Sequence, residues 1–94
     1  MKVKQLLNKK NWICGALACN EEGLEVNPRA KSAVSFCLLG AIKHCYRGSE
    51  ITKITKLVQS ELKAKDYYPE IDCWNDATTT SFGMVKRLVN KLDI

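Results

Sequence analysis

The sequence predicts an all-α fold: a compact bundle of four to five short helices, with one longer irregular connector before the last helix. Two observations predict it. Apolar residues recur at helical spacing in four blocks, and residues suited to starting or stopping a helix stand at the block boundaries. Length sets the scale. A chain of 94 residues buries only about 60–65% of the surface its unfolded form exposes, enough for one modest core. No repeat, low-complexity tract or linker divides it, so residues 1–94 are expected to form a single helical domain.

Val3, Leu6 and Leu7 open the first block. Asn11 stands where it can cap a second turn, with Trp12, Gly15, Ala16 and Cys19 at i, i+3, i+4 and i+7. Residues 2–19 therefore read as one kinked helix or two. A polar connector, Asn20 to Val26, has room for a short extended segment. Asn27-Pro28 then reads as an N-cap followed by proline at the first helical position, where its missing N–H is harmless. Ala30, Ala33, Val34, Cys37, Leu38, Ala41, Ile42 and Cys45 continue at helical spacing. Phe36 and Leu39 widen that apolar arc, which predicts a central helix buried on most sides.

Gly48 is a natural stop, and Ser49 a natural cap for a third helix whose buried face is Ile51, Ile54, Val58 and Leu62. The irregular connector follows, from about Asp66 to Thr80. The last helix starts at Ser81 and turns Phe82, Val85, Leu88, Val89 and Leu92 inward. Gly15 and Gly40 each precede an alanine inside an apolar run. Glycine costs a helix interior about 1 kcal/mol relative to alanine, so the helices bearing Gly15 and Gly40 are expected to cross near these residues.

Three pieces, Trp12 with Gly15-Ala16-Leu17-Ala18, then Cys37-Leu38-Leu39-Gly40-Ala41-Ile42, then Trp74-Asn75-Asp76-Ala77, occur in an order that spans most of the chain. In this the chain resembles an uncharacterised small-domain family of bacterial and phage proteins. It departs from that pattern at Thr80, where the family carries an arginine, and at Met84, where it carries an acidic residue. The second departure removes a capping box at Ser81. The resemblance implies a shared fold and no particular chemistry.

The residues offer little to an enzyme. Cys37 is the most plausible nucleophile, and a thiol needs a base within about 3 Å or a setting that lowers its pKa. His44, the single histidine, lies seven residues away, about 10 Å along a helix. Metal sites announce themselves by short paired spacings, and none is present, so neither metal nor cofactor is expected. Trp74-Asn75-Asp76 admits two readings. It is either a small polar surface site or a connector whose tryptophan plugs the core while Asn75 and Asp76 satisfy backbone N–H groups. The second is favoured.

Binding explains more. The net charge of +5 biases the chain toward acidic partners, whether nucleic acid or an acidic protein surface. Lys53, Lys56 and Lys63 share one stripe of the third helix, and Lys86, Arg87 and Lys91 lie on the last. Nucleic acid is the alternative partner, although aromatic residues do not interleave with these cations as a single-strand platform requires. An acidic protein partner is preferred, with Tyr67, Tyr68 and Tyr46 as interface anchors if exposed. The phage resemblance suggests a specific form, an anti-CRISPR-like inhibitor of a host defence complex. A thiol enzyme centred on Cys37 is the second alternative.

No stretch approaches the roughly 20 apolar residues of a membrane span, and no membrane partner is expected. Lys2, Lys4, Lys9 and Lys10 before the apolar run Ile13 to Cys19 resemble a signal or lipoprotein segment only faintly, since Ala16 stands where a lipobox carries leucine. Five cysteines would leave one over in a closed disulfide framework, which favours a reducing compartment. Cytoplasm is the expected location, that of the host cell if the chain is phage-encoded.

Overall fold

The computed structural model describes residues 1–94. It has five helices, α1 (Val3–Leu6), α2 (Leu38–Cys45), α3 (Ser49–Ala64), α4 (Ile71–Asp76) and α5 (Phe82–Leu92), and two short strands, β1 (Ala18–Cys19) and β2 (Ser35–Phe36). The protein is mostly helical rather than all-α. The two strands pair antiparallel, with Ala18 opposite Phe36 and Cys19 opposite Ser35. β2 is also flanked on its other side, where the Ile13 N–H donates to the Phe36 carbonyl and the Phe36 N–H to the Asn11 carbonyl.

This sheet corrects two expectations. The helix expected within residues 2–19 ends after Leu6. Trp12 to Cys19 instead runs irregular and then extended, turning at Gly15 with φ of +88°, a conformation open mainly to glycine. The helix expected from Pro28 also fails to form there. Asn27 Oδ1 accepts the Arg29 N–H at 2.9 Å, closing a turn rather than starting a helix. The chain then extends through β2, where Phe36 is buried. Helix begins only at Leu38, because Cys37 is extended and its Sγ accepts the Gly40 N–H at 3.3 Å, which makes the thiol the cap.

α3 starts from Gly48, at φ of +55°, rather than from a Ser49 cap. Val58 and Leu62 are fully buried along its inner face, and Ile51 and Ile54 pack against the core from its edge. Asp66, at φ of +58°, ends the helix by a left-handed step that lets the Tyr67 N–H reach the Leu62 carbonyl at 2.9 Å. The connector between residues 66 and 80, expected to be irregular, contains α4.

Ser81 caps α5 as its sequence suggests, its hydroxyl accepting the Met84 N–H at 3.3 Å. Val85, Leu88 and Val89 of this helix enter the core. α1 closes against α5, where the Lys4 N–H donates to the Ile94 carbonyl at 3.2 Å. Asp93 pairs with both Lys2 and Lys4.

The close approach inferred at Gly40 is present in altered form. A Cβ there would lie 1.8 Å from the Leu17 carbonyl oxygen and 2.6 Å from its carbon. Gly40 is thus pressed against the extended segment entering β1, not against a second helix. At Gly15 a Cβ would meet nothing within 4 Å, so its glycine serves the turn instead.

Candidate functional site

Asn75 is the polar hub of the molecule. It is fully buried and uses its whole hydrogen-bonding capacity. Its Oδ1 accepts the Trp12 indole N–H at 2.7 Å and the Leu38 backbone N–H at 2.9 Å. Its Nδ2 donates to the Ile13 carbonyl at 3.0 Å and to Asp76 Oδ1 at 2.9 Å. Asp76 in turn accepts the Gly15 N–H at 3.1 Å. One short helix thereby ties the 12–15 turn to the start of α2. The hydrogen bonds give Asn75 and Asp76 the backbone-satisfying roles weighed for them. Trp74 is only 2% exposed, as the favoured core-plug reading expected and unlike the surface cluster that was its alternative.

A recess of about 190 Å³ opens above this hub, lined by Gly15, Ala16, Leu17, Glu25, Cys37, Asp72 and Asp76. Its chemistry is acidic with one buried thiol. Burial raises the Cys37 pKa. The Gly40 and Leu39 N–H groups pull it down, while the Asp76 and Asp72 charges add to the rise. The thiol is therefore held protonated. His44 does not approach as a base. Its Nδ1 lies 2.6 Å from the Pro28 carbonyl oxygen, which only accepts, so Nδ1 carries the proton, and its ring packs on Phe36 at 4.8 Å. All five cysteines are free, and no group of three or more His, Cys, Asp or Glu side chains is gathered to hold a metal.

The opposite character appears on the exposed sides of α3 and α5. Lys53, Lys56, Lys63, Lys86, Arg87 and Lys91 are all exposed. Of the six only Lys91 has an acidic partner, Glu61 at 2.8 Å, and this pairing lowers the Glu61 pKa. Lys56 and Lys63 line a polar groove of about 470 Å³ with Gln59, Ser60, Pro69 and Glu70. Among the exposed large hydrophobic side chains are Tyr68 at 61%, Tyr67 at 38% and Leu57 at 44%. Tyr46 is half-buried and packs against the core, so it is not an anchor here.

Sequence reasoning missed a second, smaller recess on this face. Leu62 and Lys65 of the α3 end, Tyr67, Trp74, and Met84, Arg87 and Leu88 of α5 enclose about 40 Å³. The Tyr67 ring stacks on Trp74 with centroids 5.8 Å apart. The Trp74 indole N–H is buried and has no acceptor, at a cost of about 1–3 kcal/mol. Only the aromatic pair around the turn hinted at it, because the recess is assembled from three separate elements.

No helix is long and apolar enough to cross a membrane. No curated protein and no solved structure matches the chain. The sequence profile of a family of unknown function (DUF6197) matches residues 1–92. The chain belongs to that family.

Proposed function

We propose that this member of a family of unknown function is a small, non-enzymatic protein-binding module. It docks on an acidic protein surface through the face made by α3, the Tyr67-Tyr68 turn and α5. One observation carries the reading: the exposed Tyr67 lines a recess with Lys65 and Arg87, and the exposed Tyr68 directly precedes the Pro69-Glu70 wall of a groove lined by Lys56 and Lys63. Tyrosine supplies contact area at low conformational cost, and unpaired cations around it steer an acidic partner into place. The phage resemblance makes an anti-CRISPR-like inhibitor of a host defence complex the specific form of this proposal.

Four of the six residues lining the polar groove, Lys56, Gln59, Ser60 and Lys63 against Pro69 and Glu70, carry groups that meet phosphates, which favours nucleic acid as a second reading. Capture of partners from a host lysate, with and without nuclease, separates the two. A stoichiometric protein partner that survives nuclease, and is lost when Lys53, Lys56 and Lys63 are changed together to glutamate, supports protein binding. Loss of every partner on nuclease treatment sinks it in favour of nucleic acid, and the logarithm of the binding constant for a defined oligonucleotide should then fall linearly with the logarithm of salt concentration. Cys37→Ser tests the thiol enzyme. Serine can keep the cap on α2, so partner binding should persist, whereas an enzyme using this sulfur would lose its activity.

A further inference from the structure

We propose that the recess between the end of α3, Tyr67, Trp74 and α5 receives a glutamate or aspartate side chain of the acidic partner. Its carboxylate accepts the Trp74 indole N–H and meets the Lys65 and Arg87 cations. This rests on the protein-binding reading and names the contact that would anchor it.

Three observations converge. Trp74 is 2% exposed and its indole N–H has no acceptor, although buried donors in folded proteins are almost always paired. The other tryptophan shows the contrast, its N–H held by Asn75 at 2.7 Å. Next, the walls carry the right chemistry for a carboxylate on a short apolar stem. Leu62, Met84 and Leu88 are apolar, and Lys65 and Arg87 bring two positive charges, neither of them in a direct ion pair. Finally, the size is right. About 40 Å³ holds roughly three water-sized groups, which suits a carboxylate head and excludes a cofactor. On this proposal the Tyr67 ring, which lines the recess, stacks on Trp74 and is 38% exposed, turns aside to uncover the indole N–H.

The two indole N–H signals in a proton–nitrogen correlation spectrum read this directly, with Trp12 as internal reference. The probe is propionate, which reproduces the end of a glutamate side chain, and the control is neutral propionamide. The expected result is a saturable downfield shift of the Trp74 signal with propionate alone. Arg87→Ala should weaken that binding about tenfold, and Lys65→Ala should weaken it in the same direction. A blocked glutamate, N-acetyl-glutamate N-methylamide, should act as propionate does.

A Trp74 signal that stays in place would overturn the proposal and leave a buried water as its only partner. Equal movement of both indoles, or an equal response to propionamide, would overturn it as well. Should Arg87→Ala fail to fold, the titration of the parent protein still decides. Lysate capture and the Lys53, Lys56 and Lys63 reversal lie outside this recess. Failure of the recess and failure of the protein-binding reading are therefore told apart.

Discussion

Replacing Gly40 by alanine adds one methyl group, and the fold leaves it no room. The new Cβ would stand 1.8 Å from the Leu17 carbonyl oxygen, where ordinary contact begins near 3.4 Å. The obstacle is backbone, not the end of a flexible side chain. α2 and the β1 segment would have to separate by about 1.6 Å to restore ordinary contact. That movement strains the hydrogen bond from the Cys37 N–H to the Leu17 carbonyl, now 3.1 Å long. Overpacking of this kind costs about 1–3 kcal/mol, and the strained hydrogen bond adds about 1 kcal/mol. The better helix propensity of alanine returns about 1 kcal/mol.

The net loss should be about 1–3 kcal/mol, and Tm should fall by about 4–24 °C for a domain of this size. Gly83→Ala is the matched control. It also sits in a helix, but its Cβ would meet Ser81 Oγ at 3.7 Å and Arg87 at 3.8 Å, which is comfortable. It should stabilise by about 0.5 kcal/mol. Urea unfolding followed by far-ultraviolet circular dichroism and tryptophan fluorescence measures both variants. If Gly40→Ala proves as stable as the parent, the close approach to Leu17 is wrong.

Two further perturbations test the polar hub and the closure of the chain ends. Asn75→Asp keeps the acceptor for Trp12 and Leu38 but replaces the donor that faces Ile13 and Asp76. It should cost about 3 kcal/mol or more at neutral pH by burying a charge beside another carboxylate. Comparative melts should show the deficit narrowing as pH falls and the new carboxyl takes up a proton; a pH-independent deficit would contradict this account. Asp93, hydrogen-bonded by Lys4 and Lys2, has its pKa lowered from 3.8 to about 2. Its contribution to stability is complete above pH 3.8 and is lost as pH falls from there toward 2. Asp93→Asn should remove that part of the acid sensitivity, and carboxyl carbon shifts read the titration itself.

Some of this was legible in the residues. Ile54, Val58 and Leu62, like Val85, Leu88 and Val89, lie on long amphipathic segments in which period 3.6 is unambiguous, and both segments are helices. Ser81 was readable as a cap because its role is met within three residues. The exposure of the lysines followed from the same periodicity. Trp12 to Cys19 and Ala30 to Cys37 also match helical spacing, yet they turn and extend. Short apolar runs fit a buried strand as well as a helix, and only pairing decides between them. Ala18 and Phe36 pair across eighteen positions of chain, beyond the reach of any local pattern.

The sequence by itself determined the amphipathic faces of α3 and α5, the basic character of the surface, and the need for a residue without a side chain at position 40. Each of these follows from neighbours within a turn or two, or from composition alone. The tertiary structure decided what Gly40 presses against and which side chains Asn75 joins. It also brought Lys65, Tyr67 and Arg87 into one recess with Trp74, whose indole N–H has no acceptor. Asn75 meets Trp12 across 63 positions and Leu38 across 37. A hydrogen bond is satisfied by proximity in space, and separations of that length leave no periodic trace along the chain.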